Sequence, residues 1–210
     1  MLAGYEARLT SVRAGDDAVA LWQVEDLERH VDRRALLADD AREPPYWAHL
    51  WSGARGLAAA VPRSGGRAVE LGCGLGLPGL AAARRGARVT FVDRERAPLA
   101  FVRASALANG LGPVDVVAAD LTAGVLHAAF DLVLLAEVLY DRAAFPAVAR
   151  AIAAALAPRG VALLADGGRI DTRPFYPALG RLGLRVDTTS HRVNADGATE
   201  TIALSAIRWA

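Results

Sequence analysis

Residues 67–84 decide the fold: Arg67-Ala68-Val69-Glu70-Leu71, then Gly72-Cys73-Gly74-Leu75-Gly76, then Leu77-Pro78-Gly79-Leu80-Ala81-Ala82-Ala83-Arg84. The first five residues have strand composition. The alanine-rich residues Leu77–Arg85 have helical periodicity. Glycines between them allow a tight turn and let backbone N–H groups approach a ligand closely. Pro78 falls in the first helical turn, where its missing N–H costs nothing.

The same alternation continues outward. Strands are expected at Arg88–Val92, Val114–Ala118, Phe130–Leu135 and Val161–Ala165. Helices are expected at Glu95–Asn109, Arg142–Leu156 and Pro174–Leu182. This order predicts an α/β fold: a Rossmann-like, mostly parallel sheet with helices on both faces. The last two strands, Leu184–Thr189 and Thr199–Ile207, are separated by Asn194-Ala195-Asp196-Gly197 and no helix. They are therefore expected as an antiparallel C-terminal hairpin closing one edge of the sheet.

Residues 1–50 read as an N-terminal extension packed on the domain formed by residues 51–210. Ala7–Val12 and Ala18–Trp22 suit a small hairpin across Ala14-Gly15-Asp16-Asp17. Glu25–Ala38 is polar and partly helical, Pro44-Pro45-Tyr46-Trp47 is a stiff extended segment, and Trp51–Val61 is a helix stopped at Pro62.

At 210 residues, with 53% hydrophobic composition, the chain is long enough for one sizeable core. A formal net charge of +1 gives no general electrostatic grip on nucleic acid. All basic residues are arginine. Cys73 is the single cysteine, which rules out an internal disulfide and suits a reducing cytoplasm. No leader-like apolar segment opens the chain, and Asp131 and Glu137 interrupt its most apolar stretch, so no membrane association is expected.

The glycine loop parses two ways. Gly74, Gly76 and Gly79 spell the dinucleotide fingerprint G-x-G-x-x-G; Gly72, Gly74 and Gly76 spell G-x-G-x-G, the adenosylmethionine loop. Glu70 breaks the tie. A carboxylate here would repel a pyrophosphate but suits a cationic ligand such as S-adenosyl-L-methionine. Asp93, 21 residues beyond Gly72, stands where a carboxylate hydrogen-bonds ribose hydroxyls in either case. Asp120 follows the third strand and suits an adenine amino group.

Together these residues resemble the class I (seven-strand) S-adenosylmethionine-dependent methyltransferases. A narrower likeness covers Pro45-Tyr46-Trp47-Ala48-His49-Leu50-Trp51, then the loop, then Glu137-Val138-Leu139-Tyr140, then Asp166-Gly167-Gly168-Arg169. These segments are similar, in order, to those of protein lysine methyltransferases related to the one acting on the electron transfer flavoprotein β-subunit. That family often has Gly-Asp where this chain has Ala136-Glu137, and proline where it has Gly167 and Ser52. The resemblance implies cofactor contacts from Trp51, Glu70, Gly72, Cys73, Gly74, Gly76, Asp93, Arg94, Asp120, Leu121 and Ala136. It implies a catalytic role for Glu137 and Tyr140.

Amine methylation is an in-line displacement that needs a neutral, positioned nitrogen. Glu137 is expected to orient the incoming amine, or else to cap the following helix. Tyr140 would form an aromatic wall. Trp47 would line the acceptor opening or staple its segment to the sheet. The expected acceptor is a lysine-bearing protein. A small-molecule N- or O-methyltransferase and a nicotinamide dinucleotide-binding protein remain alternatives. Pro44-Pro45-Tyr46 resembles the N/D-P-P-Y motif of adenine methyltransferases. Residues Asp39–Glu43 before it cannot form the buried strand which that motif needs, and no nucleic-acid partner is expected. His30, His49, His127 and His191 lack metal-ligand spacing, so no metal is expected. The oligomeric state is left open.

Overall fold

The computed structural model describes residues 1–30, 45–124, 129–195 and 197–210. Its centre is a seven-stranded sheet. Strands β3 (Arg67–Leu71), β4 (Arg88–Asp93), β5 (Asp115–Ala118), β6 (Phe130–Ala136) and β7 (Leu156–Asp166) run parallel. β8 (Leu184–Ala195) and β9 (Ala198–Trp209) form the C-terminal hairpin, with β9 antiparallel to β7. The spatial order is β5-β4-β3-β6-β7-β9-β8. Order reverses between β3 and β6, and open α/β sheets bind ligands in the crevice beyond such a switch point.

Successive side chains along each strand point to opposite faces, which separates two apolar layers. Ala68, Leu132 and Leu134 face one cluster, with Leu57 of α1 (Ser52–Ala60), Leu80 of α2 (Leu77–Arg84) and Phe101 of α3 (Arg96–Ala108). Val69, Leu71, Val133 and Leu135 face the other, with Ile152 of α4 (Phe145–Ala155) and Leu179 of α5 (Tyr176–Arg181). The apolar stripe of α4, Phe145, Val148, Ala149, Ile152 and Ala155, has the helical repeat that aims one face at the sheet.

β1 (Ala7–Ala14) and β2 (Asp17–Val24) form a separate antiparallel hairpin whose Val12, Val19 and Leu21 join the first cluster. Arg85 ties it down. Its guanidinium donates to the carbonyls of Ala14, Ala58 and Val61 and pairs with Asp17 at 2.9 Å. This satisfies three carbonyls and a buried cation together.

Three local expectations change. Leu156 opens β7 instead of ending α4, and pairs with Phe130 across a register irregularity. The Pro45–Trp47 segment is not extended, because Tyr46–Ala48 closes a 3₁₀ turn with Ala48 N–H donating to Pro45 O. Pro44 lies outside the described residues. Of the helical expectation at Glu25–Ala38, Leu27–His30 is a 3₁₀ turn and residues 31–38 lie outside the described residues. Among the described residues no helix is long and apolar enough to cross a membrane.

Candidate functional site

The C-terminal ends of β3 to β7 open into a cleft of about 740 Å³. All thirteen residues singled out from the sequence line it: Trp51, Glu70, Gly72, Cys73, Gly74, Gly76, Asp93, Arg94, Asp120, Leu121, Ala136, Glu137 and Tyr140. They come from five separate segments, four of which end or follow parallel strands that all finish on the same side of the sheet.

The glycine loop crosses from β3 to α2. Gly72, Gly74 and Gly76 all have positive φ, at 65°, 50° and 75°. A side chain at Gly76 would also strike Val102 Cγ2, 2.6 Å from its ideal Cβ. Gly79, the extra glycine of the alternative parse, is helical. Its missing side chain makes room for Glu70 and Phe91.

Glu70 lines the cleft, and its carboxylate is almost fully covered where it braces the loop. Oε2 accepts the Gly79 N–H at 2.8 Å. Gly79 is the third residue of α2, and Gly76 at the N-cap offers no side chain, so Glu70 supplies the cap. Burial holds its carboxyl well above the usual carboxylate range, against the lowering effect of the Gly79 bond. Cys73 is likewise buried, and burial pushes its thiol well up, which makes it a poor nucleophile.

Asp93 ends β4 and braces the loop from the other side. Its Oδ2 accepts the Gly74 N–H at 2.9 Å and its Oδ1 accepts the Glu95 N–H at 3.0 Å. Burial raises its carboxyl, opposed by these bonds and by Arg94. Asp120 caps the turn at Leu121–Ala123, accepting from both the N–H and the hydroxyl of Thr122 at 2.7 Å. Those bonds lower its carboxyl.

On the β6 side, Glu137 adopts φ 58°, rare for a residue with a side chain. Such backbone persists only where surrounding contacts impose it. Oε1 accepts the Gly53 N–H at 3.0 Å, Oε2 meets Arg169 Nε at 3.2 Å, and the Glu137 carbonyl accepts from the same guanidinium at 2.8 Å. Glu137 therefore caps α1, 84 residues before it in sequence, and not the helix that follows it. Trp51 at the α1 N-cap supplies no side-chain cap of its own. Burial raises the Glu137 carboxyl, and the Arg169 charge opposes this.

Arg169 is a site residue that the sequence reading quoted but assigned no role. Its guanidinium lies 4.2 Å from the Trp51 ring centroid while bonded to Glu137. The signal was its place in Asp166-Gly167-Gly168-Arg169, where Asp166 accepts the Gly168 N–H at 3.2 Å. Tyr140 stands at the rim, 53% exposed. Trp47 both lines the cleft and packs its segment down: it is buried with its ring centroid 5.3 Å from those of both Tyr5 and Phe101. Among the described residues no group of three or more His, Cys, Asp or Glu side chains is gathered for a metal ion.

Residues 68–160 match a family described as a methyltransferase domain. That match and the sheet order give the chain the fold of the class I methyltransferases. Several solved structures share its fold. A ribosomal protein L11 methylase from Lactobacillus delbrueckii subsp. bulgaricus is 17% identical with a TM-score of 0.64, covering 95% of this chain and 99% of that one. A TehB-like SAM-dependent methyltransferase from Corynebacterium glutamicum is 18% identical with a TM-score of 0.60, covering 77% and 89%. A magnesium protoporphyrin IX methyltransferase from Synechocystis PCC 6803, solved with bound SAM, is 19% identical with a TM-score of 0.57, covering 74% and 76%. No functionally curated protein sequence matches this chain significantly.

Proposed function

We propose that the methyltransferase transfers the methyl group of S-adenosylmethionine to the side-chain amine of a protein lysine in the reducing cytoplasm. The observation that carries this is the pairing of a buried carboxylate, Glu137, with the indole face of Trp51 around one cation, Arg169. That combination of carboxylate and aromatic face suits an amine acceptor better than a hydroxyl or an anionic one. The ordered Trp51, Glu137 and Arg169 segments resemble the lysine methyltransferases. Near end-to-end overlap with a ribosomal protein L11 methylase, which acts on a protein, adds support.

S-adenosylmethionine, when bound, supplies an electrophilic methyl group on a sulfonium. The residues present fit it. Gly72 and Gly74 line the cleft with backbone alone, Asp93 would offer its remaining lone pairs to ribose hydroxyls, and Asp120 with Leu121 would border the adenine. Arg94, Cys73 and Ala136 complete that wall. Glu70 acts indirectly, holding α2 and the loop in register. Glu137 orients the acceptor nitrogen at the end of β6, and Tyr140 shields the mouth from water.

The test is tritiated methyl transfer into an undialysed lysate of the source organism, resolved by gel and then by acid hydrolysis. Label in methylated lysine is expected. Label confined to the small-molecule fraction would overturn the protein acceptor.

A further inference from the structure

A second cavity of about 320 Å³ lies beside the cleft, under the tip of the β8–β9 hairpin. His49, Leu50, Trp51, Glu137 and Arg169 line both, so the two are separated by a wall one side chain thick. Ser52, Gly167, Ala195, Ala198 and Glu200 complete the second. Its position follows from the topology. β9 pairs with β7 only over Ala203–Ile207, so residues 198–202 run past the end of β7 and overhang the cleft side of the sheet. Ile202 and Val193 anchor this overhang on α1, where Gly56 leaves them room: a Cβ there would collide with Ile202 Cδ1.

The charges facing this cavity select its occupant. Glu137 is neutralised by Arg169. Glu200 is exposed at the mouth and makes no side-chain hydrogen bond or ion pair among the described residues. Counting carboxylates and guanidinium groups alone, Glu137, Glu200 and Arg169, the lining carries one net negative charge, and Trp51 forms part of its wall. An alkylammonium side chain satisfies both features. A phosphate or carboxylate-bearing acceptor satisfies neither.

We propose that this second cavity is the acceptor slot, and that Glu200 captures the cationic side chain of the protein substrate and delivers it toward the wall where Glu137 stands. The inference deepens the lysine reading and rests on it. Glu200 acts in recognition, as an exposed charge that attracts a partner and is weakened by salt.

The experiment measures initial rates of tritiated methyl transfer into the undialysed lysate proteome of the source organism, at low and high ionic strength, for wild type, Glu200→Arg and Ala198→Phe. Both positions are exposed on the hairpin, so the fold tolerates them. Calorimetry with S-adenosylhomocysteine checks the cofactor side of each variant. Glu200→Arg is expected to raise the half-saturating proteome concentration about tenfold at low salt, with a smaller effect at high salt and an unchanged maximal rate. Ala198→Phe narrows the slot and is expected to cut the rate about tenfold. Adenosylhomocysteine affinity should stay at the wild-type value in both. Wild-type rates in both variants would overturn the slot while leaving lysine methylation standing. A defect in Ala198→Phe alone would overturn the role of Glu200. Wild-type label found only in small molecules would overturn the lysine reading and the slot together.

Discussion

Glu137 carries a prediction that separates its backbone from its side chain. Replacing it with alanine leaves the Gly53 N–H without its acceptor at 3.0 Å and Arg169 Nε without its partner at 3.2 Å. A buried hydrogen bond to a charged group contributes about 2 kcal/mol. The Arg169 side chain is 34% exposed, so solvent screening holds that pair to about 1 kcal/mol at most. Removing a carboxylate whose burial is itself unfavourable returns part of this, for a net loss of about 2 kcal/mol. Alanine retains the φ of 58°, which costs a residue with a Cβ about 1–2 kcal/mol. Glycine is free of that cost, and gives back less than 1 kcal/mol of it through greater unfolded-chain freedom. Glu137→Gly should therefore be more stable than Glu137→Ala by about 0.5–1 kcal/mol, the reverse of the usual order in regular structure. In a chain of this size that separates their melting temperatures by about 2 °C. Urea unfolding followed by fluorescence and circular dichroism measures the difference. A Glu137→Ala protein as stable as Glu137→Gly would refute the strained-backbone reading. Both variants should lose methyl transfer while binding adenosylhomocysteine within several-fold of wild type; retained turnover would refute the role of Glu137.

Other positions give equally direct tests. Asp93→Ala should weaken adenosylhomocysteine binding about tenfold or more, since it removes both a cofactor contact and the brace on Gly74; unchanged affinity by calorimetry would remove Asp93 from the cofactor site. Gly76→Ala should cost about 2–3 kcal/mol in urea unfolding, because it combines a φ of 75° with a contact 2.6 Å from Val102 Cγ2; a loss under about 0.5 kcal/mol would contradict the loop geometry. Arg85→Ala should cost about 3 kcal/mol and loosen the N-terminal hairpin first, read as faster amide exchange in residues 7–24 than in the central sheet; uniform loss of protection would argue against its tethering role. Glu70 has its folded-state carboxyl raised above the unfolded value. The stability it contributes is therefore fully present below the ordinary carboxylate range and is lost as pH rises through the raised value. The Glu70→Gln protein should lack this decline in its urea midpoints across rising pH, and a slope identical to wild type would show that Glu70 is not its source.

Much of the architecture was legible because its signals are local. The glycine loop between a β-branched run and an alanine-rich run, the helix stop at Pro62 and the turn-forming residues between the last two strands each act within a few residues. Strand ends in a parallel sheet converge on one side, so placing Glu70, Asp93, Asp120 and Glu137 after successive strands was enough to bring them to one cleft. The Tyr46–Ala48 turn was missed because its hydrogen bonds compete with the extended preference that proline imposes, and local propensity alone could not decide between them.

What the sequence by itself determined is which segments meet: the mostly parallel sheet follows from periodicity and order, and the thirteen residues around the cleft follow from these together with the resemblance to class I methyltransferases. What only the tertiary structure decided is what the acidic residues hold. Charge in a motif suggests a ligand. Yet Glu70 turned out to cap α2 through Gly79, and Glu137 to cap α1 through Gly53. In each case the helix N-cap, Gly76 or Trp51, has no side-chain acceptor to offer, and a carboxylate from a distant or buried position satisfies the exposed N–H. Sequence spacing cannot reveal such a partner, because the distance across α1 and β6 is set by packing, and it is that packing which also placed Arg169 on Trp51 and the β9 overhang above them.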